Sequence, residues 1–229
     1  LKMFFDLSFK DILATSSTVS TVLQFLTGSL VCKKYFQKKS TGESSGFPFV
    51  AGFLSTSLWL KYGLLTDEHT LILVNLIGSI LFLSYVTIFY IFTVNKRHIV
   101  RQFLIVLIII FLAIIYAKYE IDRKKSVELI GLLCCTVGVV FFASPLIMLV
   151  HVIKVKNSES LPFPLIFSSF LVCIQWWIYG ILIDDAFIQI PNLLGAVLSG
   201  AQLLLFIIYP SKNTYSSGQL YQQLQTEIS

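Results

Sequence analysis

The stretch WLKYGLLTDEHTLILVNLIG, residues 59–78, has a second version, WWIYGILIDDAFIQIPNLLG, at residues 176–195. Among the identities that recur at a constant separation of 117 positions are Trp59/Trp176, Tyr62/Tyr179, Gly63/Gly180, Asp67/Asp184, Asn75/Asn192 and Gly78/Gly195. Slightly upstream, the identities at a separation of 116 include Glu43/Glu159, Ser44/Ser160 and Pro48/Pro164. Because both copies are strongly apolar, the duplication predicts a membrane protein of two similar helix bundles, with equivalent residues facing each other at their junction.

The composition indicates that lipid surrounds most of the chain. Of the 229 residues, 56% are hydrophobic and 13% are charged, which does not suit the surface of a soluble domain. The net charge of +5 comes from Lys and Arg in short clusters between apolar runs, so it indicates membrane topology and not a nucleic-acid partner. We interpret the four cysteines, which also lie in apolar runs, as small core residues: Cys32, Cys134, Cys135 and Cys173.

Seven apolar runs are long enough to cross a bilayer, which takes roughly 20 residues of helix. They lie at residues 11–32, 47–66, 71–93, 102–118, 128–152, 163–183 and 187–209. The repeat pairs the first three with the last three, so the predicted fold class is an all-α integral membrane protein with seven transmembrane helices as 3+1+3 parallel repeats. The expected domains are a first bundle at 10–95, a linker helix and outer loop at 96–126, a second bundle at 127–210 and a disordered cytoplasmic tail at 211–229.

Basic clusters follow the first, third and fifth spans, and the positive-inside rule makes these connections cytoplasmic. The N-terminus is then outside and the C-terminus cytoplasmic. One outer loop conflicts with this orientation, because it contains Lys118, Arg123, Lys124 and Lys125. The short acidic loops at 67–69 and 184–185 favour the majority orientation. Leu1 at the start suggests an incomplete N-terminus, with Met3 as a candidate true start.

Two of the duplicated pairs lie deep enough in their spans to contact a solute. Asn75 and Asn192 are costly in hydrocarbon unless bonded, and their carboxamides match the donors and acceptors of sugar hydroxyls. Hydrogen bonding between helices of one bundle is the alternative for a single Asn, but duplication favours a ligand site. Trp59 and Trp176 offer indole faces that can stack on a pyranose ring, with an interfacial aromatic belt as the alternative. The depth of Trp59, about 18 Å into its span at 1.5 Å per residue, disfavours the belt.

Pro145 lies within the fifth span, where a proline frees a carbonyl and kinks the helix. The kink is either a hinge or a static packing feature. The first span has Ser29 at the equivalent position, so we do not expect the two halves to be hinged identically. Pro48 and Pro164 lie near the starts of the second and sixth spans, where a missing N–H costs little.

Acidic residues are informative by their positions. None of the twelve Asp and Glu residues is central in a span, whereas ion-coupled carriers usually keep an acid near the midplane. This favours uncoupled, downhill transport. The sequence contains no catalytic constellation, metal-ligand spacing or phosphate-binding loop, so we expect no enzymatic activity, no cofactor and no metal.

The motifs resemble those of the SWEET sugar transporters, in particular the animal branch. The resemblance rests on Gly46-Phe-Pro-Phe49, Trp59-Leu-Lys-Tyr-Gly63 and Asn75-Leu-Ile-Gly78, and in the second half on Leu161-Pro-Phe-Pro164, Trp176-Trp-Ile-Tyr-Gly180 and Pro191-Asn-Leu-Leu-Gly195. It covers residues 10–210 and implies a bidirectional, energy-independent carrier of mono- or disaccharides that works by alternating access. It also suggests homo-oligomers. The plasma membrane is the default location, with Golgi and endosomal membranes as alternatives.

The resemblance also implies roles for individual residues. The paired Asn and Trp, with a small residue one turn before each Trp, would form the sugar pocket: Asn75, Asn192, Trp59, Trp176, Ser55 and Val172. Tyr62 and Asp185 match the outer gate of the family. A cytoplasmic proline tetrad is matched only in part, by Pro48, Pro145 and Pro164, with Ser29 in the fourth place.

Other classes fit parts of this pattern. A lysosomal amino-acid exporter of the PQ-loop group shares the 3+1+3 helices, but it has a Pro-Gln pair in each repeat and intramembrane acids, which this chain lacks. A seven-helix receptor also has its N-terminus outside, but the internal repeat and short loops argue against it. A regulatory adaptor or scaffold is a third interpretation. In the tail, Tyr221-Gln-Gln-Leu224 fits a Tyr-x-x-apolar sorting signal.

Overall fold

A computed structural model describes residues 9–210 of the chain. The predicted tail, its Tyr221-Gln-Gln-Leu224 motif and the candidate start at Met3 lie outside the described residues. Residues 9–210 form eight helical segments: α1 (Phe9–Lys38), α2 (Phe47–Thr66), α3 (His69–Phe92), α4 (Lys96–Tyr119), α5 (Arg123–Phe141), α6 (Ala143–Val155), α7 (Phe163–Leu182) and α8 (Ala186–Ile208).

The segments match the seven predicted spans, with one difference in the fifth. Residues 128–152, predicted as a single span, lie in two segments, α5 and α6, which are separated at Phe142. Pro145 explains the break, because it has no N–H to bond the carbonyl one turn earlier. Its own carbonyl accepts a hydrogen bond of 3.1 Å from Nε2 of Gln202 on α8. The equivalent α1 is a continuous helix of 30 residues.

Length and composition alone qualify five segments as membrane spans: α3, α4, α5 together with α6, α7 and α8. The sequences of α1 and α2 are less apolar because both contain several serine and threonine residues. Their hydroxyls bond carbonyls of the same helix, as Ser17 does to Leu13 at 2.7 Å and Thr56 does to Gly52 at 2.9 Å. Such internal bonds allow these helices to lie in hydrocarbon.

Each bundle has its third helix in the middle. α3 packs against both α1 and α2, and α8 packs against α7 and the α5–α6 pair. The two bundles meet along two seams, α1 against α7 and α2 against α5. Side chains from both bundles fill the core between the seams, including Leu58, Ile130 and Tyr179, none of which is more than 1% exposed. In a bilayer, close packing of this kind holds helices together.

α4 connects the bundles from the outside. Its buried residues are Ile99, Val106 and Ala113, which are seven positions apart and form one narrow stripe. This stripe faces α2, α5 and α3, and much of the remaining α4 surface is exposed and apolar. The structure therefore agrees with the prediction of an unpaired linking helix.

The repeat extends to the backbone of the two equivalent turns. Asp67 follows α2 and Asp184 follows α7, with φ of 55° and 54°, the left-handed region that Asp tolerates better than most residues. In each turn, the N–H of the next residue bonds the carbonyl of Gly63 or Gly180, at 3.0 and 2.9 Å. Both glycines allow a close approach, because a Cβ there would lie 3.0 Å from the start of the following helix. The two halves thus present their motifs in the same geometry.

Candidate functional site

A cavity of about 520 Å³ lies between the two bundles. All six predicted pocket residues line it: Asn75, Asn192, Trp59, Trp176, Ser55 and Val172. The cavity reaches Pro48, the second residue of α2, so it continues from the level of the Trp pair toward the end of the molecule where α2 and α7 begin. Its volume lies within the ~300–1,000 Å³ usual for small-molecule sites.

The two asparagines have the same geometry. Nδ2 of Asn75 donates to the Leu71 carbonyl at 2.9 Å, and Nδ2 of Asn192 donates to the Ile188 carbonyl at 2.8 Å. Each bond runs to the preceding turn of the same helix, and not to a second helix of the bundle. A carboxamide has two N–H donors and an acceptor oxygen, so each side chain retains one donor and its acceptor for a ligand.

The two tryptophans differ in one contact. Each packs edge-on against the tyrosine of its own motif, with ring centroids 5.5 Å apart in both halves. The indole N–H of Trp176 also donates to Oγ1 of Thr21 at 2.9 Å, across the α1–α7 seam. For Trp59 the corresponding stretch of α5 is Val137-Gly138, which has no hydroxyl. The ring of Trp176 is therefore anchored through a contact that Trp59, its equivalent in the first half, does not have.

The α1–α7 seam is polar along its length. Gln24 donates to Ser169 at 2.8 Å, and both side chains line the cavity. Further along α1, Gln175 of α7 bonds Ser16 and Ser20, each at 2.6 Å. These residues were not predicted as part of the site, although the four-residue spacing of Ser16, Ser20 and Gln24 places them on one face of a helix. Gln24 and Ser169 add an amide and a hydroxyl to the polar groups of the cavity.

Two tyrosine–carboxylate hydrogen bonds join the bundles at the opposite end, which the charge pattern predicts to lie outside, and we name them the outer latches. The hydroxyl of Tyr62 donates to Oδ2 of Asp185 at 2.8 Å, and that of Tyr179 donates to Oε1 of Glu68 at 2.5 Å. Tyr179 also contacts Oγ1 of Thr70 at 2.9 Å. The second latch was not predicted, yet the repeat contains its signal, because Tyr179 and Asp185 lie 117 positions after Tyr62 and Glu68.

Arg123 provides a third connection at the same end. Its guanidinium donates to the carbonyl of Leu65, at 2.9 and 2.7 Å, and to a carboxylate oxygen of Asp67, at 2.5 Å. Arg123 begins α5 and the other two residues lie where α2 ends, so the contact bridges the bundles. It also accounts for one of the basic residues that conflict with the positive-inside rule, because this cation has a structural partner.

The prolines occupy three different environments. Pro48 lines the cavity, Pro164 lies in the first turn of α7, and Pro145 lies in α6 beyond the break. In the first bundle, Ser29 bonds the hydroxyl of Tyr85 at 2.9 Å. Tyr85 lies 117 positions before Gln202. Pro145 and its equivalent Ser29 are therefore each hydrogen-bonded to the third helix of their own bundle, Pro145 through Gln202 and Ser29 through Tyr85.

The chemistry of the cavity suits a neutral polar solute. Among residues 9–210, no three His, Cys, Asp or Glu side chains are grouped to hold a metal ion. Cys134 and Cys173 line the cavity as free cysteines. Its polar lining consists of amides and hydroxyls, and two indole rings contribute aromatic faces.

Two triple-helix bundles in parallel repeat, joined by one helix and separated by a central cavity, define a class of membrane transporter architecture. The sequence model of the family described as "Sugar efflux transporter for intercellular exchange" matches the chain twice, at residues 11–97 and 128–214. The chain belongs to this family, that of the MtN3 and SWEET proteins.

Individual relatives agree with this assignment. The chain is 54% identical to Sugar transporter SWEET1 of Drosophila pseudoobscura pseudoobscura, over 95% of this chain and 96% of that one. It is 32% identical to Bidirectional sugar transporter SWEET9 of Arabidopsis thaliana, over 76% of this chain and 69% of that one. A eukaryotic SWEET transporter solved at 3.7 Å resolution superimposes with a TM-score of 0.79 at 27% identity, over 88% of this chain and 99% of that one. That structure is a seven-span membrane protein, and the predicted fold class is confirmed.

Proposed function

We propose that the protein carries mono- or disaccharides across a membrane by bidirectional, energy-independent facilitated diffusion. The observation that carries this proposal is the equivalent placement of Asn75, Asn192, Trp59 and Trp176 around one cavity between the bundles. The names of the relatives, which describe sugar transporters and bidirectional sugar transporters, support the choice of a sugar as the solute.

The proposed binding mode uses both kinds of duplicated residue. A sugar ring has apolar C–H faces and a rim of hydroxyls, so the indoles contact the faces while the free donor and acceptor of each Asn bond the rim. Gln24 and Ser169 supply further polar contacts from the α1–α7 seam. One turn before each Trp, Ser55 is small and polar whereas Val172 is branched and apolar. The two walls therefore differ in shape, and of these two side chains only Ser55 can bond a sugar hydroxyl.

Alternating access requires one end of the cavity to be closed while the other is open. The outer latches and Arg123 join the bundles at one end, and the cavity extends toward Pro48 at the other. We infer that this is the inward-facing state and that both latches break when the bundles rock to the outward-facing state. The sugar is held by both bundles, so binding favours neither state by itself and the concentration gradient sets the net direction.

The absence of an ion-coupling group from the described spans supports uncoupled transport. Within residues 9–210, every Asp and Glu lies in a loop or in the first two turns of a helix. We therefore expect no acid at mid-depth to carry a proton with the sugar.

By the positive-inside rule, we propose that the N-terminus is outside and the C-terminus cytoplasmic. We propose the plasma membrane as the location of the protein. We also propose that copies of the chain associate as homo-oligomers.

The test is uptake of radiolabelled glucose and sucrose into proteoliposomes that contain the purified protein. Asn192→Ala should abolish uptake of the carried sugar, because the sugar then has a hydroxyl without its hydrogen-bonding partner in a desolvated site. Asn157→Ala is the matched control, since Asn157 has the same amide in the loop between α6 and α7, where it bonds Glu159. Uptake retained by a folded Asn192→Ala protein would exclude the proposed site. A wild-type protein that takes up no sugar would exclude the function.

A further inference from the structure

A second, smaller cavity lies on the outer surface of the first bundle, between α3 and α4. This groove measures about 260 Å³. Val86 and Ile99, which are 6% and 2% exposed, form its floor. Its walls are the exposed, mostly apolar side chains Leu83, Thr87 and Tyr90 of α3 and Val100 and Leu104 of α4, together with Phe103. In a bilayer, an apolar groove of this kind is accessible to acyl chains.

One end of the groove is strongly basic. Nζ of Lys96 lies 5.1 Å from the ring centroid of Tyr90, a residue of the groove wall, so the ammonium group is at the groove mouth. Arg97 and Arg101 are exposed on the same two turns of α4. Within residues 9–210, none of these three cations has a carboxylate within 4.0 Å.

The start of α4 adds to this positive charge. The N-terminal end of a helix has partial positive charge, and acids usually compensate it in the first turn. The first turn of α4 contains no acid and begins with Lys96 and Arg97 instead. Asn95 caps this end by accepting a hydrogen bond from the His98 N–H at 3.3 Å. An anion at the groove mouth would therefore meet Lys96 directly, with the two arginines adding to the local positive charge.

We propose that the α3–α4 groove binds one anionic glycerophospholipid. An acyl chain lies in the groove against Val100 and Leu104, and the phosphate and the anionic headgroup contact Lys96. In the proposed orientation the groove mouth is cytoplasmic, and the cytoplasmic leaflet is the one that contains anionic lipids. A second copy of the chain fits less well, because parallel copies would bring the same basic cluster to the same level of the membrane, where like charges repel.

Native mass spectrometry of the detergent-purified protein tests this proposal. The probes are phosphatidylserine and phosphatidylcholine with identical acyl chains, added at equal concentration. The wild-type protein should retain phosphatidylserine in preference to phosphatidylcholine. Lys96→Gln should weaken phosphatidylserine binding roughly fivefold, the effect of losing one membrane-surface cation. Lys154→Gln, which removes an exposed lysine near the end of α6 in the other bundle, should leave it unchanged.

The groove itself is tested with a matched pair of substitutions on α4. Leu104 is 52% exposed and lines the groove, whereas Leu112 is 58% exposed and lies two turns further on. Leu104→Trp should reduce retention of both lipids, and Leu112→Trp should not. Equal retention of the two lipids by the wild-type protein, or equal effects of Lys96→Gln and Lys154→Gln, would overturn the proposal. A dimer that disappears in Leu104→Trp while lipid retention persists would also overturn it, in favour of a second copy.

Discussion

Loss of the outer latches should move the protein toward its outward-facing state. Tyr62→Phe removes the hydroxyl that donates to Asp185, and Tyr179→Phe removes the one that donates to Glu68 and contacts Thr70. A hydrogen bond to a charged group contributes ~1.5–3 kcal/mol. Because both carboxylates remain partly solvated, the lower value applies, and each substitution should shift the equilibrium between the states about tenfold.

The two substitutions act on the same equilibrium at separate places, so their effects should add. An outward-facing population of about 1% would rise to about 10% in either single variant and to about half in the double variant. The folded protein should otherwise be retained, since each ring stays in place and loses only its hydroxyl.

Double electron–electron resonance between spin labels at the outer end measures these populations. His69 and Ala186 are suitable label sites, because both are exposed and they lie 117 positions apart in the repeat. The four native cysteines are first replaced, and a longer distance should grow in the order wild type, single variants, double variant. Tyr119→Phe is the control, as Tyr119 is 73% exposed and ends α4, at the same end of the molecule. An unchanged distance distribution in the double variant would refute the gating role of the latches, as would an equal change in Tyr119→Phe.

Two further predictions concern the non-equivalent halves. Thr21→Val removes the acceptor of the Trp176 indole N–H. Loss of this hydrogen bond, worth ~0.5–1.5 kcal/mol, should raise the half-saturation concentration for sugar about 2- to 12-fold in the uptake assay. Thr21→Ser keeps the hydroxyl and should give the wild-type value. Gln202→Leu removes the donor on α8 that bonds the Pro145 carbonyl and should lower the free energy of unfolding by ~0.5–1.5 kcal/mol, seen as a lower melting temperature. Gln102→Leu removes an amide that bonds exposed His98 and should have a smaller effect. The reverse order would contradict a stabilising role for Gln202.

Much of the fold followed from the repeat and from apolar length. Identical residues at a constant separation of 117 must lie at equal depth in two similar bundles, and this places Asn75 with Asn192 and Trp59 with Trp176. The same separation links Glu68 to Asp185, so the second outer latch was predictable in principle. The structure brings all six predicted pocket residues to one cavity.

Features that depend on the register between helices could not be predicted. The Gln24–Ser169 bond and the Thr21–Trp176 bond join residues 145 and 155 positions apart, and they depend on how α1 rotates against α7. Gln24, Thr21 and Ser169 also have no identical counterparts in the other half, so the repeat contains no signal for their contacts. A proline predicts a kink, but the contact from Gln202 to the Pro145 carbonyl depends on how α8 packs against α6, which the sequence does not show.

Downhill exchange of a neutral sugar through the cavity between the bundles is tested most directly by counterflow in proteoliposomes without any ion gradient. Liposomes preloaded with unlabelled sugar should take up labelled sugar transiently above its external concentration. In a second preparation with an imposed pH gradient, collapsing that gradient at constant external pH should leave the rate of sugar uptake unchanged. Exchange that occurs only with a proton or sodium gradient, or no exchange with any mono- or disaccharide, would contradict uncoupled sugar transport by this protein.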